Sequence, residues 1–403
     1  MHTELLLARQ PILDKEERIY GYELLYRSSH SLANQKFDDM QATSHTLMAL
    51  LHSVDFDDLL MGKKGFINVD AKMLSTQILE LLPKEQFVIE VLESVDLISA
   101  KPLLQKARKE GWSLALDDFI CNASALKNLE KFIELFDIIK FDMLDPRNDP
   151  STIAQALGIL RRYGVRALAE KVESQEVYHE LKELGFELFQ GYYFAKPQLH
   201  ATKTINPTKL KILEILAIDP NQTDRIVQAL KEEPDLALGL LRLINSSFFA
   251  LRRPISSVRQ ALLYLGVDNL RKWLLLMLYA KNEPDPNDNA LLQSAKIRAQ
   301  FMSKAAKECG LDGEKAYLSG ILSLVESILG MPTEEVIAKM PFLDKEVEAA
   351  LLGEENAYAK LLHIAQALER GEFYTAKELG KSLGLEEERL AQLYYEALRS
   401  KAL

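Results

Sequence analysis

SLALDDF (residues 113–119) is a short apolar run that ends on two adjacent carboxylates. Four neighbouring runs share this build: GFINVD (65–70), QFVIEVLES (86–94), DIIKFDM (137–143) and VRALAEKVES (165–174). Each has the length of a strand rather than a helix. Between them lie stretches with helical spacing: DLISAKPLLQKARKEG (96–111), PSTIAQALGILRRYG (150–164) and SQEVYHELKELG (174–185). The first two end on Gly111 and Gly164, the residue type that closes a helix before a strand. Strands alternating with helices of this length predict parallel pairing.

Three further runs complete the set: ELLLARQPI (4–12), RIYGYELLYR (18–27) and FELFQGYYFAKP (186–197). Eight strand-like runs in about 200 residues fit a TIM-like (β/α)8 barrel near the small end of its size range. In that fold the C-terminal edges of the strands build the active site. The same edges here carry Asn68, Glu90, Asp117, Asp118, Lys140, Asp142, Glu170 and Glu173. Carboxylates gathered at one mouth repel one another unless a cation neutralises them. Oxygen donors select a hard divalent ion such as Mg²⁺ or Mn²⁺.

Near Pro197 the pattern changes. KPQLHATKTINPTK (196–209) reads as a connector, and only helical patterns follow it. The segment NEPDPNDN (282–289) reads as a loop, being dense in Pro, Asp and Asn. The expected organisation is therefore an α/β barrel over residues 1–203 and an all-α domain over residues 204–403.

The 403 residues are 48% hydrophobic and 27% charged, as in ordinary soluble globular proteins. A net charge of −10 argues against a nucleic-acid-binding surface. Two distant cysteines, Cys121 and Cys309, provide neither a disulfide framework nor a cysteine zinc site, and suit a reducing cytoplasm. The N-terminus lacks a basic region before its short apolar stretch, so no secretory signal is expected. WLLLMLYA (273–280) is far shorter than the roughly 20 residues that span a bilayer, so direct membrane insertion is not expected.

The order of these motifs over residues 4–197 resembles the EAL family, barrel phosphodiesterases that linearise cyclic di-GMP. The resemblance implies metal ligation by Glu23 in GYELLYR, Asn68, Glu90, Asp117, Asp118 and Glu170. It places Lys140, Glu173 and Gln190 beside the hydrolytic water, and Gln10, Arg27 and Asp142 against the nucleotide. It makes Glu93 the anchor of the loop that follows the paired aspartates. This chain has Glu-Leu-Leu at 23–25, a mild departure. The larger departure is the loop itself. Ile120, Cys121 and Asn122 stand where active relatives carry a Gly-Thr-Gly turn. Glycine reaches backbone conformations closed to Ile, so a changed loop and weakened turnover are expected.

The stretch 240–277, LLRLINSSFFALRRPISSVRQALLYLGVDNLRKWLLLM, resembles the HDOD family, helical modules related to HD-type metal phosphohydrolases. Asn245, Ser246, Ile255, Ala261, Leu265 and Gly266 carry the pattern. Ser323 and Leu324 stand where the related hydrolases place a metal-binding His and Asp. His363 is the only histidine after residue 200, too few for a histidine-built metal centre, and it reads as a helix-surface or packed residue. NSSFF and the Arg252–Arg253 pair read as capping and turn chemistry.

Together these readings give a cytoplasmic signalling protein of cyclic di-GMP networks. Its EAL-like barrel is expected to bind cyclic di-GMP with weak or no hydrolysis. Its HDOD module is expected to relay the signal to protein partners. The resemblance also implies a homodimer through the barrel. One alternative is an active Mg²⁺- or Mn²⁺-dependent phosphodiesterase yielding pGpG. Another is a protein-interaction scaffold with a vestigial nucleotide site.

Overall fold

In the computed structural model, residues 5–28, 59–74, 79, 82–195, 207–245, 254–279, 289–340 and 343–400 are described. Ser246, Arg252, Arg253, the connector around Pro197 and the NEPDPNDN loop up to 288 lie outside them, as does the Arg27 side chain. Eight strands close a barrel in sequence order: β1 (Leu5–Asp14), β2 (Ile19–Ser28), β3 (Lys64–Val69), β4 (Phe87–Val91), β5 (Ser113–Leu116), β6 (Ile138–Asp142), β7 (Arg166–Glu170) and β8 (Leu188–Gln190).

Pairing from β2 through β8 is parallel. Uniform parallel pairing is corrected at β1, which runs antiparallel to both β2 and β8. The reason is local. Only residues 15–18 join β1 to β2, and a parallel crossover needs a dozen or more. Asp14 closes the turn by accepting from the Glu16 and Arg18 amides. The β1–β2 ribbon continues past the mouth, with Leu5 still paired to Ser28.

The helices between strands are fixed by their ends. Asp149 accepts from Thr152 N, Pro150 takes the first turn, and Gly164 closes the helix Pro150–Tyr163 at φ 69°. Ser174 and Gly185 do the same for Gln175–Leu184. Gly111 turns at φ 92° after the helix Leu97–Lys109. Pro fits a helix start and Gly a left-handed end for the same backbone reasons.

Strand alternation then layers the barrel interior. Ile12, Phe66, Val88, Ala115, Ile138, Leu168 and Leu188 form a small apolar cluster distinct from the main core. Each comes from a different strand. Gly21 supplies the position on β2, where a Cβ would lie 2.9 Å from the Phe66 ring. Two residues nearer the mouth on every strand lies the next inward position, and that layer holds the candidate site.

Among the described residues from Pro207 onward, every named regular element is a helix. Asn245 explains part of the 240–277 pattern: its amide donates to Leu241 O and Ile255 O and accepts from Ile255 N. Ala261 and Leu265 are buried core residues. Gly266, at φ 81°, separates the helices Val258–Leu265 and Val267–Leu278. His363 is exposed on the helix Ala357–Glu369. Ser323 is bonded to Arg298, and Leu324 is buried apolar surface.

A strand of this barrel is normally covered outside by the helix that follows it. β1 has none, because β2 follows it directly. The helices Ala357–Glu369 and Glu387–Leu398 of the C-terminal half pack on β1 instead. A cleft between the halves is lined by Arg9, Pro11 and Tyr22 from the barrel and by Ile297, Glu369 and Tyr394 from the helices.

Candidate metal centre at the barrel mouth

Two residues beyond the apolar layer, each strand, or for β5 the residue just past its end, contributes one polar side chain: Gln10, Glu23, Asn68, Glu90, Asp117, Lys140, Glu170 and Gln190. On antiparallel β1 the step runs backward, from Ile12 to Gln10. Period-two alternation turns all eight positions inward. The structure thus brings together eight of the residues singled out by sequence.

Lys140 sits inside this ring, 1% exposed. Its Nζ lies 2.7 Å from Glu90 Oε1, 2.7 Å from Asp117 Oδ1, 2.8 Å from Glu170 Oε1 and 3.5 Å from Glu23 Oε2. Glu23 also accepts from Asn68 Nδ2 at 3.1 Å and from Gln190 Nε2 at 2.6 Å. Gln190 Nε2 in turn reaches Gln10 Oε1 at 2.8 Å.

One ammonium facing four carboxylates leaves a buried excess of negative charge. Burial, with neighbouring acids, pushes Glu90 and Asp117 above the usual carboxylate range and Glu170 up to about 8. Burial pushes Glu23 the same way, but Lys140 and the Gln190 and Asn68 hydrogen bonds outweigh it and hold Glu23 low. Burial disfavours the Lys140 charge, yet the surrounding carboxylates raise its pKa. Three buried oxygens in the ring, Asn68 Oδ1, Glu90 Oε2 and Gln190 Oε1, have no hydrogen-bond partner among the described residues. Glu90 Oε1 faces Lys140 at 2.7 Å without hydrogen-bond alignment. Unpartnered oxygens and surplus carboxylates are the donor set of a hard divalent cation. The residues therefore fit a metal.

A second tier lies in the loops above. One oxygen each of Glu93, Asp117 and Asp118 fall within 4.8 Å of one another. Asp118 adopts φ 42°, a left-handed conformation that Asp tolerates better than most residues. Asp142 is held apart from the ring: its carboxylate pairs with Lys171 and accepts from Leu144 N. Glu173 is exposed beyond β7. Lys171, at φ 56°, was not singled out by sequence, although it stands between Glu170 and Glu173.

The loop after Asp118 is built from backbone conformations open to any residue. Positive φ falls on Asp118, whereas Ile120, Cys121 and Asn122 need none. Asn122 caps the helix Ala123–Leu129 by accepting from Ser124 N and Ala125 N. Asn148 Oδ1 accepts from Cys121 N, and Asn148 Nδ2 donates to Asp142 O. Side-chain hydrogen bonds hold this turn, so glycine is not required for its backbone. Asn148 was missed because DPRNDP reads only as a polar turn.

The acids give the metal-free protein a pH dependence. Folded Glu170 keeps its proton up to about 8, while an unfolded glutamate ionises near 4.5. The folded state then binds more protons between those values, and stability falls as pH rises. The melting temperature of metal-free protein should decline from about pH 5 to about pH 8. Saturating Mn²⁺ should flatten the decline, because ionised acids become ligands. A metal-free melting temperature that rises across this window contradicts the assignment.

An EAL domain model matches residues 2–197, and an HDOD domain model matches residues 203–339. The chain is 30% identical over 405 residues to YuxH, an uncharacterised protein of Bacillus subtilis, covering 98% of this chain and 97% of that protein. It is also 30% identical over 413 residues to CdgJ, a cyclic di-GMP phosphodiesterase of Vibrio cholerae, covering 98% and 91% respectively. Among solved structures, the calcium and cyclic di-GMP complex of Klebsiella pneumoniae BlrP1 matches at 25% identity and a TM-score of 0.40. That match covers 48% of this chain and 56% of the other. No helix among the described residues is long and apolar enough to cross a membrane.

Proposed function

This chain belongs to the family in which an EAL domain precedes an HDOD domain, and from that premise we propose that its barrel hydrolyses cyclic di-GMP to linear pGpG. The observation that carries this reading is the complete ring of eight inward polar residues with its surplus of buried carboxylates. Glu23, Asn68, Glu90, Asp117, Asp118 and Glu170 are the residues that would hold Mg²⁺ or Mn²⁺. When bound, such ions neutralise charge on a phosphodiester and lower the pKa of a water.

The remaining residues divide the other work. Lys140 supplies a fixed positive charge against the acids. Gln190 uses Nε2 on Glu23 and Gln10, which leaves Oε1 to accept from a water O–H. Glu173 stands outside the ring, where it can take a proton from the solvent side. Gln10, Arg27 and Asp142 are the proposed nucleotide contacts, and Glu93 lies close enough to Asp117 and Asp118 to serve the loop tier.

A second reading, binding with little turnover, is motivated by Ile120, Cys121 and Asn122. That turn reaches its own conformation without glycine, through the Asn122 cap and the Asn148 hydrogen bonds. Incubating the protein with cyclic di-GMP and Mn²⁺ and following pGpG separates the two. Binding in Ca²⁺ without turnover in Mn²⁺ sinks the hydrolytic reading. The double variant Ile120→Gly, Asn122→Gly should not raise turnover, and Asn122→Gly should cost only a few tenths of a kcal/mol at the helix cap. A marked gain in activity would show that the loop was limiting.

For the helical half we propose a relay to signalling proteins in the cytoplasm, a setting that suits the chain's free cysteines, Cys121 in the barrel and Cys309 in the helices. A homodimer through the barrel is proposed on the family resemblance, and light scattering of the full chain tests it.

A further inference from the structure

We propose that Arg298 and Tyr192 form a positioning link by which the helical half sets the geometry of the candidate metal centre. The proposal rests on the metal-dependent reading above.

Arg298 lies in the helix Ala290–Glu308 and is fully buried. A buried guanidinium must have its donors satisfied. Its Nε and Nη2 fork onto Glu369 at 2.8 and 2.7 Å, and Nη1 donates to Ser323 Oγ at 3.0 Å. Nη2 also donates to the hydroxyl of Tyr192. Among the described residues, Tyr192 is the one partner of Arg298 that belongs to the barrel.

Tyr192 lies two residues beyond Gln190, which donates to both Glu23 and Gln10 in the ring. The intervening backbone has no slack. Val172 N donates to Gln190 O at 3.0 Å, and Tyr193 N donates to Val172 O at 3.1 Å. Gly191 adopts φ +149°, and a Cβ there would lie 2.1 Å from Val172 O. Val172 itself follows Glu170 by two residues. A displacement of the Tyr192 side chain is therefore passed to Gln190 and to the end of β7. Glu369 ends the helix that packs on β1, the strand carrying Gln10. Both routes from the Arg298–Glu369 pair converge on Gln190 and Glu23.

Tyr192→Phe tests the link. It keeps the ring and removes only the hydroxyl, leaving the Arg298–Glu369 pair intact. Mn²⁺ binding to the full chain is measured by calorimetry, and amide hydrogen exchange is followed in metal-free protein. The variant should bind Mn²⁺ about tenfold more weakly, the low end for groups that orient a metal ligand. Exchange at the Val172 and Tyr193 amides should accelerate while β6 amides stay unchanged. Arg298→Lys keeps the charge but loses the fork, and should reproduce the same pattern. A merely structural role would lower the melting temperature and leave Mn²⁺ affinity and local exchange untouched; that result overturns the link. Absence of Mn²⁺ binding in the unmodified protein overturns the metal reading and the link with it.

Discussion

Lys140→Met destabilises the metal-free protein by about 3–5 kcal/mol, the cost of removing one partner from a buried charge cluster. Lys140 is the cation that faces Glu23, Glu90, Asp117 and Glu170. Methionine has similar length and no charge, so packing changes little while four acids are left facing one another. Protonation relieves part of the strain, because burial already holds Glu90, Asp117 and Glu170 above the usual range. The loss should therefore grow as pH rises. Urea unfolding of both proteins, with and without Mn²⁺, measures it. Mn²⁺ should narrow the gap, since a divalent ion replaces the missing charge. Equal stability without metal would mean that the ammonium does not hold the ring together.

Glu23→Ala removes the most connected acid and should lower pGpG production by roughly 10²–10³-fold, the scale of losing one preorganised electrostatic group. Glu23 accepts from Asn68 and Gln190 and faces Lys140. Its removal takes the Glu23 acceptor from the Asn68 amide, leaves Gln190 Nε2 with Gln10 alone, and deletes a proposed metal ligand at once. Circular dichroism and Mn²⁺ calorimetry separate loss of fold, loss of metal and loss of turnover. A Glu23→Ala protein that turns over cyclic di-GMP at the unmodified rate would exclude this ring as the reaction centre.

Much of this site was legible because alternation is a local rule. FINVD, VIEVLES, LALDD, IIKFD and LAE each place one polar residue two steps beyond an inward apolar one. Strand periodicity alone then puts Asn68, Glu90, Asp117, Lys140 and Glu170 in one layer. Glycines 111 and 164 marked helix ends, and both adopt the left-handed backbone there. The effect of the 120–122 turn was not legible. Its geometry depends on Asn148, a residue 26 positions after Asn122 that no local pattern connects to it.

The sequence by itself determined a barrel followed by helices and gathered Asn68, Glu90, Asp117, Asp118, Lys140, Asp142, Glu170 and Glu173 at one mouth, because strand and helical spacing are properties of contiguous residues; Gln10, Glu23 and Gln190 entered through the EAL resemblance. Tertiary structure decided three things. β1 runs antiparallel, because a four-residue connection cannot carry a crossover. The C-terminal helices cover β1, because β1 lacks a helix of its own and its apolar face must be buried. Arg298, which reads as an ordinary polar residue within KIRAQ, is buried across the junction, where the Tyr192 hydroxyl satisfies one of its donors. The last two depend on segments far apart in the chain meeting in space, which spacing along the chain does not encode; the first follows from the short 15–18 connection.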